Sequence, residues 1–142
     1  MDLKKLTDYI PYFEDKNTVF YEWKESVTHS PGGKGWPFPK YSPKLMEFVN
    51  VVYESGIMHK DYVSALKEIY AKHPNLNSEL LSFIETADLD SISVILTKCI
   101  RVERFSDGAW CGFCDDKIFL ALLLRLKILD ESIAQDESQT GR

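Results

Sequence analysis

The sequence predicts an all-α fold, a compact bundle of about six helices around a buried C-terminal helix, with an ordered aromatic Pro/Gly loop. Apolar residues recur at helical spacing over most of the chain, and Pro and Gly stand where helices end or restart. The segment 118–129, I-F-L-A-L-L-L-R-L-K-I-L, is apolar on almost every side of a helix. A helix of this kind is typically surrounded by others, so we expect it at the centre of the bundle.

The N-terminal part of the chain predicts one short helix and one ambiguous segment. Residues 2–15 carry apolar residues at helical spacing, and Pro11 bends or restarts the helix. Residues 18–23, T-V-F-Y-E-W, have the β-branched and aromatic composition of a strand. Because no partner strand is recognisable elsewhere, we favour a helix there.

Residues 28–43 form the one long predicted loop, because Pro and Gly recur throughout it. The loop carries Trp36, Phe38 and Tyr41, and large aromatic side chains are costly to leave in water. We therefore expect its second half to lie in extended form against the domain.

The remaining helices follow from their end signals. Ser42 and Pro43 begin a helix that Gly56 ends. Further helices are predicted at about 60–72, 77–84, 86–106 and 115–131, the last beginning at two acidic residues. The domain organisation is thus a single helical domain over 1–131 and a disordered polar tail over 132–142.

Composition excludes several classes of protein. A net charge of -5 argues against a non-specific nucleic-acid binder, so no nucleic-acid partner is expected. The apolar runs are too short for a membrane span, and the N-terminus has no signal-peptide pattern, so we expect no membrane partner and a cytoplasmic location. The three cysteines should then be reduced. We expect no cofactor and no metal. A structural zinc site needs four ligands, and the chain offers three cysteines and three scattered histidines, at positions 29, 59 and 73.

The segment 101–114, R-V-E-R-F-S-D-G-A-W-C-G-F-C, is the most informative part of the chain. Cys111 and Cys114 have the C-x-x-C spacing of a thioredoxin-like dithiol. The residues after Cys114 contain no proline and predict one helix and a tail, whereas a thioredoxin fold needs further strands. We therefore interpret the two cysteines as small, partly buried residues at a tight turn.

The first ten residues of that segment separate acids from arginines on a helical projection. Glu103 falls on the apolar side, so it should be held by an arginine or lysine such as Arg125, or by backbone N–H groups. Arg101 and Arg104 fall together on the other side. One interpretation is an ion-pair lattice that these residues form with Asp107.

The alternative interpretation is a ligand pocket. Arginine binds phosphate or carboxylate through its flat fork, and aromatic faces stack on bases. If burial raises the pKa of a carboxyl group in the pocket, Glu103 and Asp107 are weak candidates for general acid–base catalysis; otherwise no catalytic residue is expected. The candidate ligand-binding residues are Arg101, Arg104, Trp110, Trp36, Phe38 and Tyr41.

Three parts of the chain resemble a family of uncharacterised bacterial and phage-borne domains of unknown function. The most specific element is R-x-E-R-F-x-D-G-x-W at 101–110, whereas the C-x-x-C that follows is a departure from the family's pattern. The resemblance implies no activity of its own. It implies that similar domains occur as neighbours of ADP-ribosylglycohydrolase-like domains. The resembling segments lie at 36–41 with 48–57, at 85–97, and at 101–110 leading to 119–126.

Three functions remain open at this point. The first is a non-enzymatic binding module for a small anionic, nucleotide-like ligand of ADP-ribose type, which would sequester a signal. The second is a protein-interaction or inhibitor module with an exposed apolar face and a protein partner. The third is a hydrolase that acts on an ADP-ribose-like bond through Glu103 or Asp107. The oligomeric state stays open, with a homodimer among the options.

Overall fold

The chain folds mainly into helices, as the sequence predicts, with a small sheet that the prediction lacks. The computed structural model describes residues 1–25 and 37–140. A 3-10 turn, Val102–Arg104, directly follows the helix Leu89–Arg101. In chain order the elements are α1 (Leu3–Thr7), α2 (Ile10–Glu14), β1 (Tyr21–Glu25), β2 (Pro37–Tyr41), α3 (Pro43–Glu54), α4 (Tyr62–Lys72), α5 (Leu80–Thr86), α6 (Leu89–Arg101), α7 (Ala109–Asp115) and α8 (Ile118–Thr140).

The two strands pair in an antiparallel hairpin, and residues 18–20 before them are not helical, so the helix favoured for residues 18–23 is wrong throughout. Tyr21 pairs with Tyr41, and Trp23 pairs with Pro39. The partner of β1 lies inside the predicted Pro/Gly loop, whose second half is extended as expected but is a strand. Pro37 and Pro39 argue against a strand in that segment, so composition alone does not predict the pairing.

The prolines of β2 are compatible with the hairpin because of their register. Ser42 donates its backbone N–H to the carbonyl of Phe20 over 2.8 Å. Hydrogen-bonded pairs alternate along an antiparallel ladder, so Lys40 and Phe38 also point their N–H groups toward β1. Pro37 and Pro39 fall at the positions between, where no ladder donor is needed.

Local end signals place the helices before and after the hairpin. Pro11 stands in the first turn of α2, which restarts the chain after α1 as predicted. The Oγ of Ser42 accepts the backbone N–H of Leu45 over 3.2 Å at the start of α3, as its cap position predicts. Gly56 follows α3 with a φ of 84°, a left-handed conformation that favours glycine.

Helix α6 is shorter than the predicted 86–106. It begins after Asp88, whose carboxylate accepts the N–H of Ser91 over 2.8 Å. It ends at Arg101, where the chain tightens into the 3-10 turn. Most of its middle is buried, including Ile92, Leu96 and Ile100.

Helix α8 occupies the centre of the bundle, as expected, and packs against α1, α2, α5, α6 and α7. Phe119, Leu122, Leu123 and Leu126 are fully buried along it. It starts at Ile118 and not at the acidic pair, because Asp115 ends α7. The structure continues the helix to Thr140, whereas the sequence predicts its end at 131 and a disordered tail beyond.

Burial of α8 is not complete. Leu124 is 41% exposed and Ile128 is 55% exposed, so one side of the central helix faces outward. Over the residues that the structure describes, neither this helix nor any other is long and apolar enough to cross a membrane.

Candidate functional site

Glu103 organises the junction between α6 and α7. Its carboxylate accepts the backbone N–H of Gly108 over 2.8 Å, the N–H of Trp110 over 3.3 Å and the hydroxyl of Tyr41. Of the two arrangements expected for this acid, the structure has the one with backbone N–H groups. Arg125, the expected partner, instead donates its Nε–H to the carbonyl of Ala87 over 2.8 Å.

Tyr41 is committed to this network. Its hydroxyl donates to Glu103, and its ring lies 5.1 Å from the ring of Trp110, centroid to centroid. Burial raises the pKa of Tyr41, and the hydrogen bond to Glu103 raises it further, so the phenol stays protonated and remains a donor. The side chain predicted to contact a ligand therefore joins β2 to the α6–α7 junction.

Trp110 is a structural residue in this arrangement. It is 8% exposed, and its indole N–H donates to the carbonyl of Cys99 over 3.0 Å and to that of Ile100 over 3.2 Å. These carbonyls belong to the last turn of α6, where helical partners are absent. The indole thus satisfies the end of α6 and offers no free face for stacking on a ligand.

The hairpin carries the other aromatic candidates. Side chains alternate between the two faces of a strand, so Phe38 lies on the face opposite Tyr41. Phe38 is 41% exposed and is not brought to the junction. Trp36 lies outside the residues that the structure describes.

Neither Arg101 nor Arg104 forms an ion pair with another residue that the structure describes. The guanidinium carbon of Arg101 lies 5.8 Å from the ring centroid of Tyr62, and its Nε is buried without a hydrogen-bond partner. Arg104 is exposed. Among the described residues neither arginine has a carboxylate within 4.0 Å, so the lattice expected with Asp107 does not form there. Asp107 itself is exposed on the turn.

Phe105 is the residue that the sequence reasoning missed. It is 84% exposed, the highest value among the large apolar side chains that the structure describes. The helical projection that put Glu103 on the apolar side puts Phe105 on the opposite side, beside Arg101 and Arg104. That projection therefore held a signal for an exposed aromatic residue next to two cations.

The turn that carries Phe105 is held by its own backbone. The N–H of Phe105 donates to the carbonyl of Val102 over 2.9 Å, and that of Ser106 donates to the same carbonyl over 3.0 Å. Gly108 has a φ of 91°, and the N–H of Ala109 donates to Ser106 over 3.1 Å. The exposed ring therefore stands on an ordered support.

The two cysteines of the C-x-x-C lie on α7, so the tight turn expected for them is wrong. Cys111 and Cys114 are both buried as free thiols. Burial raises the pKa of Cys114 to about 12, and burial also raises the pKa of Cys111. A redox dithiol needs a lowered thiol pKa, and these environments act in the opposite direction.

No cluster of three or more metal-ligating side chains occurs in the described part of the chain. Three cavities there have volumes of about 310 Å³ between α5 and α8, about 640 Å³ between α5 and α7, and about 300 Å³ beside the hairpin. None of these three is lined by Arg101, Arg104 or Phe105. Residues 104–107 of the turn are exposed, and they do not form the wall of any of these three cavities.

A family described as a family of unknown function (DUF6508) matches residues 1–132. No curated protein and no solved structure matches the chain.

Proposed function

The chain belongs to this family of unknown function, whose match covers nearly all of it, and from that premise we propose that it is a non-enzymatic protein-interaction module. Its binding surface is the turn at 101–107, which we call the Phe105 turn. The partner is a protein with an apolar pocket edged by acidic side chains. A single observation carries this proposal, namely the exposure of Phe105 on a hydrogen-bonded turn.

Because Phe105 is exposed, its burial against a partner would contribute free energy to binding. Burying such a side chain against a partner is worth about 1.5–3 kcal/mol. A turn whose backbone is already hydrogen-bonded loses little backbone freedom on binding, so more of this free energy appears as affinity. Aromatic and arginine residues also dominate the energetics of protein interfaces.

The charges of the Phe105 turn indicate the charge expected on the partner's surface. Arg101 and Arg104 lie on the same side of the helical projection as Phe105 and have no carboxylate within 4.0 Å among the described residues. The charge of Glu103 is already engaged by its three donors, which leaves Asp107 as the other acid of the turn. Acidic side chains of a partner would therefore meet the exposed Arg104 and the half-buried Arg101.

A small anionic, nucleotide-like ligand, of ADP-ribose type, is the second candidate. The same unpaired arginines favour it, with Phe105 and not Trp110 as the stacking residue. Small molecules generally bind in concave sites that enclose most of their surface, whereas this turn is exposed and lines none of the three cavities. The protein partner is therefore the better supported of the two.

Hydrolysis of an ADP-ribose-like bond has less support. The carboxylate of Glu103 is engaged by three donors, and Asp107 lies on the exposed turn outside the three cavities.

A bacterial or phage origin and a cytoplasmic location, where buried free thiols would stay reduced, remain part of the proposal.

Affinity capture from a lysate of the source organism tests the proposal when the wild-type chain and its variants are compared. The full chain should recover a partner in stoichiometric amount, and Phe105→Ala should lose it. The partner, once purified, should bind Phe105→Ala and Arg104→Glu at least about tenfold more weakly than wild type in calorimetry. Equal binding by wild type and Phe105→Ala would remove this surface from consideration.

Two controls accompany the capture. Met46→Ala removes another exposed apolar side chain, on α3, and should retain the partner. Calorimetry with ADP-ribose, cyclic dinucleotides and common nucleotides should give no heat. Heat that disappears in Arg101→Ala and Arg104→Ala would instead support the small anionic ligand.

A further inference from the structure

An apolar stripe lies along the exposed side of α8. At 100° per residue, Leu120, Ala121, Leu124 and Ile128 fall within one sector of about 100° on the helix. The last two are about half exposed, and all four line the groove of about 310 Å³ between α5 and α8. Leu81 of α5, which is 46% exposed, lines the other side of the groove.

Opposite charges stand at the two ends of this stripe. Lys117 immediately precedes α8 with a left-handed φ of 62°, and its side chain lines the same groove as Leu120 and Leu124. Glu131 falls in the same sector at the other end. Both side chains are exposed, and neither has an oppositely charged partner within 4.0 Å among the described residues.

The order of these residues is self-complementary. In an antiparallel pair of α8 helices centred on Leu124, Lys117 lies opposite Glu131 of the second copy. Leu120 then lies opposite Ile128, and Leu124 lies opposite itself. A two-fold axis repeats each contact, so the pair has an apolar middle and an ion pair at both ends.

From this pattern we propose that the chain forms a homodimer in which the α8 stripe packs antiparallel against that of a second copy. The ridge formed by Leu124 and Ile128 of each copy enters the α5–α8 groove of the other. The surface is separate from the Phe105 turn, so the dimer leaves that turn free for its own partner. The inference stands independently of the proposed function.

The size of the contact sets the strength to expect. Lys117 and Glu131 are about 21 Å apart along the helix, at a rise of about 1.5 Å per residue. A stripe of this length, with one flanking helix, makes an interface at the small end of the range for specific association. Dimerisation should therefore depend on concentration between micromolar and millimolar protein.

Sedimentation equilibrium on the full chain measures this directly. Wild type should pass from monomer to dimer over that range, and Ile128→Asp should weaken the dimer at least about tenfold, because a carboxylate would enter the apolar middle. Val63→Asp, at a side chain 51% exposed on α4, is the matched control and should dimerise like wild type. Monomer at all concentrations overturns the proposal, as does a dimer that Ile128→Asp leaves intact.

A charge swap tests the antiparallel register. Lys117→Glu and Glu131→Lys should each weaken the dimer about tenfold, because each places like charges together at both ends. The double variant Lys117→Glu/Glu131→Lys should restore it to within about threefold of wild type. In a parallel pair each residue would face its own copy, so failure of this rescue overturns the arrangement.

These variants change exposed side chains, so each should retain the wild-type helical circular dichroism and melting temperature measured below the dimerisation range. If Ile128→Asp does not fold, Ile128→Ser and the charge swap still decide the question.

Discussion

Gly108 donates its backbone N–H to the carboxylate of Glu103, five positions earlier, over 2.8 Å. The bond closes the chain between α6 and α7 into a loop. The same carboxylate also accepts the N–H of Trp110 and the hydroxyl of Tyr41. One carboxylate thus joins the α6–α7 turn, the start of α7 and strand β2. The three connections make the stability of the junction depend on Glu103.

Replacement of Glu103 should destabilise the fold. Glu103→Ala leaves three donors without their acceptor, which costs about 1–3 kcal/mol for each donor that stays buried. Glu103→Gln keeps one acceptor oxygen and should cost about 1–2 kcal/mol. Urea unfolding followed by circular dichroism measures both. Asp107→Asn, on the same turn and exposed, is the matched control and should change the free energy of unfolding by less than about 0.5 kcal/mol.

Gly108→Ala should destabilise the protein through its backbone. A residue with a side chain rarely adopts the φ of 91° found there, and the substitution should cost about 1–2 kcal/mol. An added Cβ would meet only ordinary contacts, 3.8 Å from Trp23 and 3.9 Å from Pro39. Gly112→Ala is the control, because it lies within α7 with open space around its Cβ, and it should stabilise the helix slightly. Equal melting temperatures for the two variants would contradict this account.

The thiols of Cys111 and Cys114 should react slowly in the folded protein. Burial raises the pKa of both, so the reactive thiolate is scarce at pH 8. Alkylation by iodoacetamide, followed by mass spectrometry, should proceed at least about tenfold more slowly than in the same chain unfolded by urea. Rapid modification of one thiol, or a disulfide formed under mild oxidant without unfolding, would revive the redox interpretation.

Stability should fall at alkaline pH. The pKa of Cys114 is raised by burial from 9.0 to about 12, and that of Tyr21 is raised from 10.0 to about 12, first by its hydrogen bond to Asp115. Because the folded state disfavours the ionised forms, their contribution is complete below the unfolded pKa and is lost as pH rises from about 9 toward 12. Urea unfolding at a series of pH values measures this decline.

Tyr21→Phe separates the tyrosine from the thiols in that experiment. It removes the group that titrates, so the fall in unfolding free energy above pH 10 should become shallower. Tyr53→Phe, at a side chain 42% exposed on α3, serves as the control and should follow the wild-type curve. If Tyr21→Phe follows the wild-type curve as well, the Tyr21–Asp115 hydrogen bond does not contribute to the pH dependence.

Helix starts were the part of the fold most accessible to sequence reasoning. The caps at Ser42 and Asp88 depend on side chains within three residues of the bond that they make, so local sequence carries their signal. The central position of α8 was equally readable, since its apolar residues leave little surface for water. Its exposed stripe was not, because that depends on where the neighbouring helices end.

The hairpin and the α6–α7 junction depend on contacts across the chain. β1 has the composition of a strand, but its partner carries two prolines, and only the register shows that these need no donor. Trp110 looked available for stacking because sequence does not reveal that its indole N–H reaches the carbonyls at the end of α6. Phe105 falls beside the two arginines on the helical projection, but its exposure depends on which elements pack around the turn, and the sequence alone does not give that.

The prolines of β2 also determine what the hairpin cannot do. Pro37 and Pro39 point outward at the positions where a further strand would need N–H donors. An unpaired strand edge normally serves as a template for another chain, and a proline at such an edge removes the donor that pairing requires. The small sheet is thereby closed to growth on that side, which protects the protein from edge-to-edge aggregation while its aromatic side chains remain exposed.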